Sequence, residues 1–218
     1  MVDNAFATPV LQRPMEFGAD IVVHSSTKYI DGQGRAMGGV ILCKEDFLKD
    51  HLQLFLRNTG PAISPFNAWL HLKSLETLDL RMRQHCANAT QVADFLAREK
   101  NVRRVLYPVR EGARGANDPQ IALAKRQMSG GGGVVTFEVA GAKKEAFKVA
   151  KALKLVDVSN NLGDAKSLLT HPATTTHQRM TPEARLAAGV TDGMLRIAVG
   201  LEDTADICED LAQALASI

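Results

Sequence analysis

The chain is predicted to be an α/β protein on three observations. Short β-branched runs (Ile21–Val23, Gly39–Cys43, Val134–Val139) alternate with stretches of helical period and are bounded by glycine, proline or charge. A helical pattern opens at Ser64-Pro65 and runs to Leu96. The last third returns to strand–helix alternation and closes on a helix with Ile207, Leu211 and Leu215 at four-residue spacing. At 218 residues there is material for one large domain or two small ones, with a real core.

Taken in order, Ile21–Val23 reads as a short buried strand and Gly39–Cys43 as a second. Glu45–Leu56 is predicted helical. Ser64 suits an N-cap and Pro65 the first turn of a long helix that carries Phe66, Trp69, Leu70, Leu78, Met82, Val92, Phe95 and Leu96. Trp69 on that stripe is expected in the core. A break is expected over Asn101–Pro108, and Val109–Pro119 reads as an exposed loop. Val134–Val139, Leu155–Val158 and Met194–Val199 are predicted strands. Lys143–Leu153 is a helix with Phe147, Ala150 and Leu153 on one face, and Asp203 caps the last helix. Residues 1–105 and 106–218 are expected to form separate units. Gly130–Gly133 precedes a strand instead of following one, so it reads as a flexible lead-in and not a phosphate loop.

Composition excludes several classes. A net charge of +2, with no basic run interleaved with aromatics, argues against nucleic acid. Cys43, Cys86 and Cys208 are widely spaced and odd in number, which fits thiols in a reducing compartment and not a disulfide framework or zinc site. His171 and His177 lie in a loop without helical ligand spacing, so no metal site is expected. No apolar stretch has membrane-spanning length and no targeting segment is recognised, so a cytoplasmic protein without membrane contact is expected.

Lys28 concentrates the chemistry. It lies in His24-Ser25-Ser26-Thr27-Lys28-Tyr29, just past an apolar run and ahead of Gly32, Gly34, Gly38 and Gly39. Most lysines are solvated charges. A desolvated lysine beside other cations, however, loses its proton readily enough to act as a nucleophile. If the backbone there is extended, Ser25 and Thr27 point to one side and can share an anion such as a phosphate.

Four segments in order carry a resemblance: Val2–Pro9, Ser25–Tyr29, Asn161-Leu162-Gly163-Asp164 leading to Thr170-His171-Pro172-Ala173, and Leu195–Glu202. Together they resemble the Cys/Met-metabolism family of pyridoxal-phosphate enzymes, which includes cystathionine γ-synthase, methionine γ-lyase and the homoserine-ester sulfhydrylases. The wording around Ser159–Thr176 is most similar to the O-succinylhomoserine sulfhydrylases. The resemblance implies the C-terminal part of a fold-type-I transferase of the aspartate-aminotransferase kind. It implies pyridoxal 5′-phosphate as cofactor, an amino-acid substrate, and a homo-oligomer (a tetramer in the family) for the full chain. The implied activity is γ-replacement on an activated homoserine ester, O-succinylhomoserine plus sulfide giving homocysteine; cystathionine γ-synthase or methionine γ-lyase activity is the alternative.

The resemblance also implies residue roles. Lys28 matches the lysine that forms the Schiff base and then moves protons. Asp3 matches the aspartate on the pyridine nitrogen, and Ser25 and Thr27 match the phosphate-binding hydroxyls. Arg196 matches the arginine on the substrate carboxylate, for which two parallel N–H donors suit two oxygens. Asn161 stands where relatives often carry a serine, Thr175 and Thr176 are placed at the same pocket, and Ala5 replaces a common threonine. Family members carry a large portion upstream of the Asp3 motif, which supplies further phosphate donors, a stacking aromatic and most of the sheet. These residues alone are therefore expected to leave an open sheet edge and bare apolar helix faces. Cofactor binding is expected to be weak, at ~1.5–3 kcal/mol for each charge-assisted bond lost, and the chain reads as a truncated form or one half of a split enzyme.

Overall fold

The structure is a computed structural model that describes residues 1–110 and 118–218. The expected loop 109–119 therefore lies mostly outside the described residues. The fold is α/β, built on two sheets.

The first sheet has the order β1 (Val2–Asp3), β2 (Ile21–Ser25), β3 (Gly39–Cys43). β1 runs parallel to β2 with Asp3 beside Val23, and β3 runs antiparallel with Gly39 beside Ser25. Helix α1 (Thr8–Leu11) follows β1. Beyond β3 the chain is helical through α2 (Glu45–Phe47), a wide turn (Leu48–Leu52) and α3 (Gln53–Thr59). Then come α4 (Pro65–Leu75), capped by Ser64, and α5 (Leu78–Leu96).

The second sheet has the order β4-β5-β8-β7-β6, from β4 (Val102–Leu106), β5 (Val134–Val139), β6 (Asp157–Val158), β7 (Leu168–Thr170) and β8 (Met194–Ala198). Between its strands lie α6 (Pro119–Gln127), α7 (Lys143–Ala152) and α8 (Pro182–Ala187), and α9 (Thr204–Leu215) ends the chain. Asp203 caps α9 through the Ala205 N–H, as its position implied. The second half of α5, with α7 and α9, covers the face of this sheet that carries Phe137, Leu195 and Ile197, all sealed from solvent. We propose the division 1–105 and 106–218 as an approximate one, with β4 and the second half of α5 packing on the C-terminal side.

Several expectations need correction. The single helix from Pro65 to Leu96 breaks at Glu76-Thr77. Ser74 Oγ donates to Leu70 O at 2.8 Å and Ser74 O takes a side-chain donor from Arg81 at 2.9 Å, which diverts the helical ladder there. Trp69 is not core: it is 54% exposed, because the α4 stripe of Phe66, Trp69 and Leu72 meets no covering layer. The supposed break at Asn101–Pro108 holds β4, whose alternation is masked by Arg103 and Arg104. Only Asp157–Val158 of Leu155–Val158 pairs, and β7, too short for a period, had no counterpart in the sequence reading. On α7 the buried residues are Ala146 and Val149, one step away from the predicted face. Gly131–Gly133 is buried and pinned, since the Tyr107 hydroxyl donates to Gly132 O at 2.8 Å.

Candidate active site

Strand β2 delivers the site. Its buried residues are Val22 and His24, so Val23 and Ser25 face the other way, and Asp3, level with Val23 on β1, shares that face. Asp3 is exposed, with one carboxylate oxygen accepting the Ala5 N–H at 3.0 Å. His24 beneath is held below its ordinary pKa by burial, against the pull of Asp3.

After Ser25 the chain does not stay extended. Asp31 N–H bonds Ser26 O at 2.8 Å and closes a wide turn over Ser26–Ile30, with Lys28 at its kink (φ −88°, ψ −129°). The alternation that would align Ser25 with Thr27 therefore fails. Thr27 Oγ1 instead accepts the Gly38 N–H at 3.1 Å and donates to Gly38 O at 3.4 Å, and Ser26 pairs with the buried His71 ring.

Three of the predicted residues meet. Lys28 Nζ donates to Asn161 Oδ1 at 2.5 Å, across 133 residues of chain. Arg196, in the middle of β8 between Thr136 and Thr170, sends Nη2 to Asn160 O at 3.3 Å. Its even position on β8 puts it on the face away from the covering helices. Half-burial, and then the Arg196 charge, hold the Lys28 amine below its ordinary pKa. Thr176 is not brought in: it is exposed and its hydroxyl bonds the His177 ring. Thr175 bonds Thr170 and His171 O. His171 is structural, bonded to Thr174 and Asp192 O, and no metal-holding cluster occurs among the described residues.

Two residues that shape the site went unassigned in the sequence. Gly163 (φ +78°) lies so close that a Cβ there would stand 2.5 Å from Tyr29 N, a conformation and a fit that glycine alone satisfies. Arg81 donates to Tyr29 O at 2.6 Å. Its signal was a charge bordering the α5 stripe of Leu78, Met82 and His85, all buried.

A family model described as Cys/Met metabolism PLP-dependent enzyme matches residues 1–216. The chain belongs to that family. It is 52% identical to an O-succinylhomoserine sulfhydrylase of Mycobacterium tuberculosis, over 99% of this chain and 53% of the relative. It is 44% identical to an L-methionine gamma-lyase of Pseudomonas putida, over 99% of this chain and 53% of that one. Among solved structures it matches a cystathionine gamma synthase from Xanthomonas oryzae pv. oryzae with a TM-score of 0.91 at 39% identity, over 99% of this chain and 55% of that one. A cystathione gamma lyase from Micromonospora echinospora matches with a TM-score of 0.92 at 33% identity, over 99% and 55%. The chain thus spans about half the length of the curated relatives it matches.

The family cofactor is pyridoxal phosphate, and the donor set fits it. A half-buried amine of lowered pKa suits its aldehyde, the Ser25 hydroxyl at the end of β2, with Thr27 in the turn beyond it, suits its phosphate, and Asp3 on the same sheet face as Ser25 suits its ring nitrogen.

Proposed function

We propose that this sequence carries part of the active site of a γ-replacement enzyme acting on an activated homoserine ester, O-succinylhomoserine with sulfide. The observation that supports it most is the meeting of Lys28, Asn161 and Arg196. The greater identity to the sulfhydrylases, 52% against 44% for the lyase, favours replacement over elimination.

In this reading Lys28 carries the cofactor and then takes and returns the proton at the substrate Cα and Cβ. A displaced lysine amine stays within reach of both, and such proximity is worth many powers of ten in rate. Bound pyridoxal phosphate supplies an electron sink for the charge left at those carbons. Asp3 keeps the proton on the ring nitrogen. Ser25 and Thr27 donate to the phosphate, and Arg196 holds the substrate carboxylate through two parallel N–H groups. Asn161 accepts from Lys28 Nζ and steadies it. The amino-acid substrate and homo-oligomeric assembly of the whole protein belong to the same proposal.

Elimination, as the methionine gamma-lyases are named for, is the second reading. Assaying the longest natural polypeptide that contains this sequence, with O-succinylhomoserine plus sulfide and separately with methionine, distinguishes the two. Homocysteine from the first and no thiol from the second supports replacement; thiol release from methionine as the faster reaction overturns it. On its own the 218-residue chain is proposed to bind the cofactor weakly, and stoichiometric borohydride labelling of Lys28 would contradict that.

A further inference from the structure

Arg81 touches none of the groups assigned to a reactant, and its contacts give it another use. The Ser26–Ile30 turn does not run on into a helix, so the Tyr29 and Ile30 carbonyls lack a helical donor. Arg81 Nη1 donates to Tyr29 O at 2.6 Å, and Nη2 donates to Ile30 O at 3.3 Å and to Ser74 O at 2.9 Å. Its Nε donates to Thr77 Oγ1 at 3.2 Å. One guanidinium therefore ties the lysine turn to the break between α4 and α5. Gly32 leaves the room for it, since a Cβ there would land on the guanidinium. Gly163 closes the turn elsewhere, against the Lys28–Tyr29 peptide.

We propose that Arg81 is a positioning residue for Lys28: its clamp on three carbonyls seats the turn against the Gly163 loop, so that Nζ reaches Asn161. The planar fork is essential, because a lysine ammonium is a point donor that cannot span three acceptors in fixed directions. The proposal rests on the reading of Lys28 as the cofactor-bearing amine. Among charged groups, Arg196 faces that amine from β8; Asp31, on the turn, is engaged by Arg35.

The test incubates the 218-residue chain with pyridoxal phosphate over a pH series, reduces it with borohydride and maps the labelled lysines below the melting temperature of every variant. Wild type is expected to label Lys28 ahead of surface lysines. Arg81→Met is expected to label it about tenfold more slowly or worse, the equilibrium worth of one hydrogen bond to a charged group. The pH midpoint should rise toward that of an ordinary lysine, and Arg81→Lys should restore little of either. Equal rate and midpoint in wild type and Arg81→Met overturn the proposal, even where the variant melts lower. If wild-type Lys28 labels no faster than surface lysines, it is the cofactor-bearing reading that fails. Arg81 is then judged by NMR titration of the Lys28 amine, where an upward shift in Arg81→Met supports the clamp and an unchanged titration overturns it. If Arg81→Met does not fold, Gly32→Ala, which displaces the guanidinium without removing it, is held to the same outcomes.

Discussion

The two sheets of this protein are finished to different degrees. Around β5 and β8 every inward side chain is sealed: Phe137, Leu195 and Ile197 lie under Ile207, Leu211 and Leu215, and none exceeds 1% exposure. Around β3 the apolar residues face outward. Val40, Ile41 and Leu42 are each more than 40% exposed, and Phe66, Trp69 and Leu72 of α4 more than 50%. The region that carries Lys28 thus has a smaller core, with Leu11, Tyr29, Ile30, Leu78 and Met82 packed against Leu162, Leu168 and Ala198. The lysine turn is fixed from both sides, by Asn161 and Gly163 in the loop before β7 and by Arg81 in the first turn of α5. The chemistry is set on the less covered region, and only part of its alignment, through Asn161 and Gly163, comes from the better packed one.

The sharpest test of that contrast is a pair of large-to-small changes. Phe137→Ala is expected to cost about 3–5 kcal/mol in urea unfolding, the usual penalty for emptying a sealed aromatic site. Trp69→Ala should cost about 1 kcal/mol, because more than half of the residue stays in water on folding. A Trp69→Ala penalty near that of Phe137→Ala would mean that α4 is covered in solution, and the comparison would fail.

The next effect is a dependence on pH at the seam between the regions. His85, fully buried, gives Nδ1 to Val199 O at 2.8 Å and sets its ring edge-on to Tyr29. Burial pushes its pKa from 6.5 down to about 4. The unfolded chain then takes up this proton first as pH falls. The stability is complete above about 6.5 and is lost between 6.5 and 4, a total of about 3 kcal/mol. His24, also lowered, acts in the same direction. Melting curves from pH 7 to 4 should show the fall, and His85→Asn, which keeps a donor for Val199 O, should flatten it. An equally steep profile in His85→Asn would place the titration elsewhere.

Much of this was legible in the sequence. Hydroxyls and glycines around Lys28, an arginine inside a predicted strand, and the stripe of α9 could all be picked out from local sequence. The rest depends on pairings across long separations. Nothing periodic marks the loop from Ser159 to Ser167, yet it supplies the partner of Lys28 Nζ and the glycine beneath its peptide. Trp69 was misplaced because helical spacing tells which residues share a face, not whether another layer covers it. The break after Leu75 was invisible because it is drawn by Arg81, a donor from the following helix. The Ser25–Thr27 alignment failed because hydroxyl-rich strand ends turn as readily as they extend.

Gly163→Ala ranks third. The added methyl meets Tyr29 N at 2.5 Å, and alanine must also hold φ near +78°, a strain on the order of 1–3 kcal/mol. Lys28 labelling by pyridoxal phosphate should fall along with stability. A variant less stable but labelled as fast as wild type would uncouple the loop from the lysine.

The smallest effect compares two caps of the same kind. Ser64 accepts the Asn67 N–H at 3.1 Å at the start of α4, and Asp203 accepts the Ala205 N–H at 2.8 Å at the start of α9. Each is worth about 1 kcal/mol to its own helix. The difference lies in what that helix is coupled to. α9 packs on the sealed core, so Asp203→Ala should lower the free energy of global unfolding by nearly the full amount. α4 presents its apolar side to solvent, so it can fray while the second sheet stays folded. Ser64→Ala should therefore speed hydrogen exchange in α4 severalfold while leaving the slowest amides of β5 and β8 unchanged. If both changes sped those core amides alike, the two sheets would be unfolding as one unit, and the contrast between them would fail.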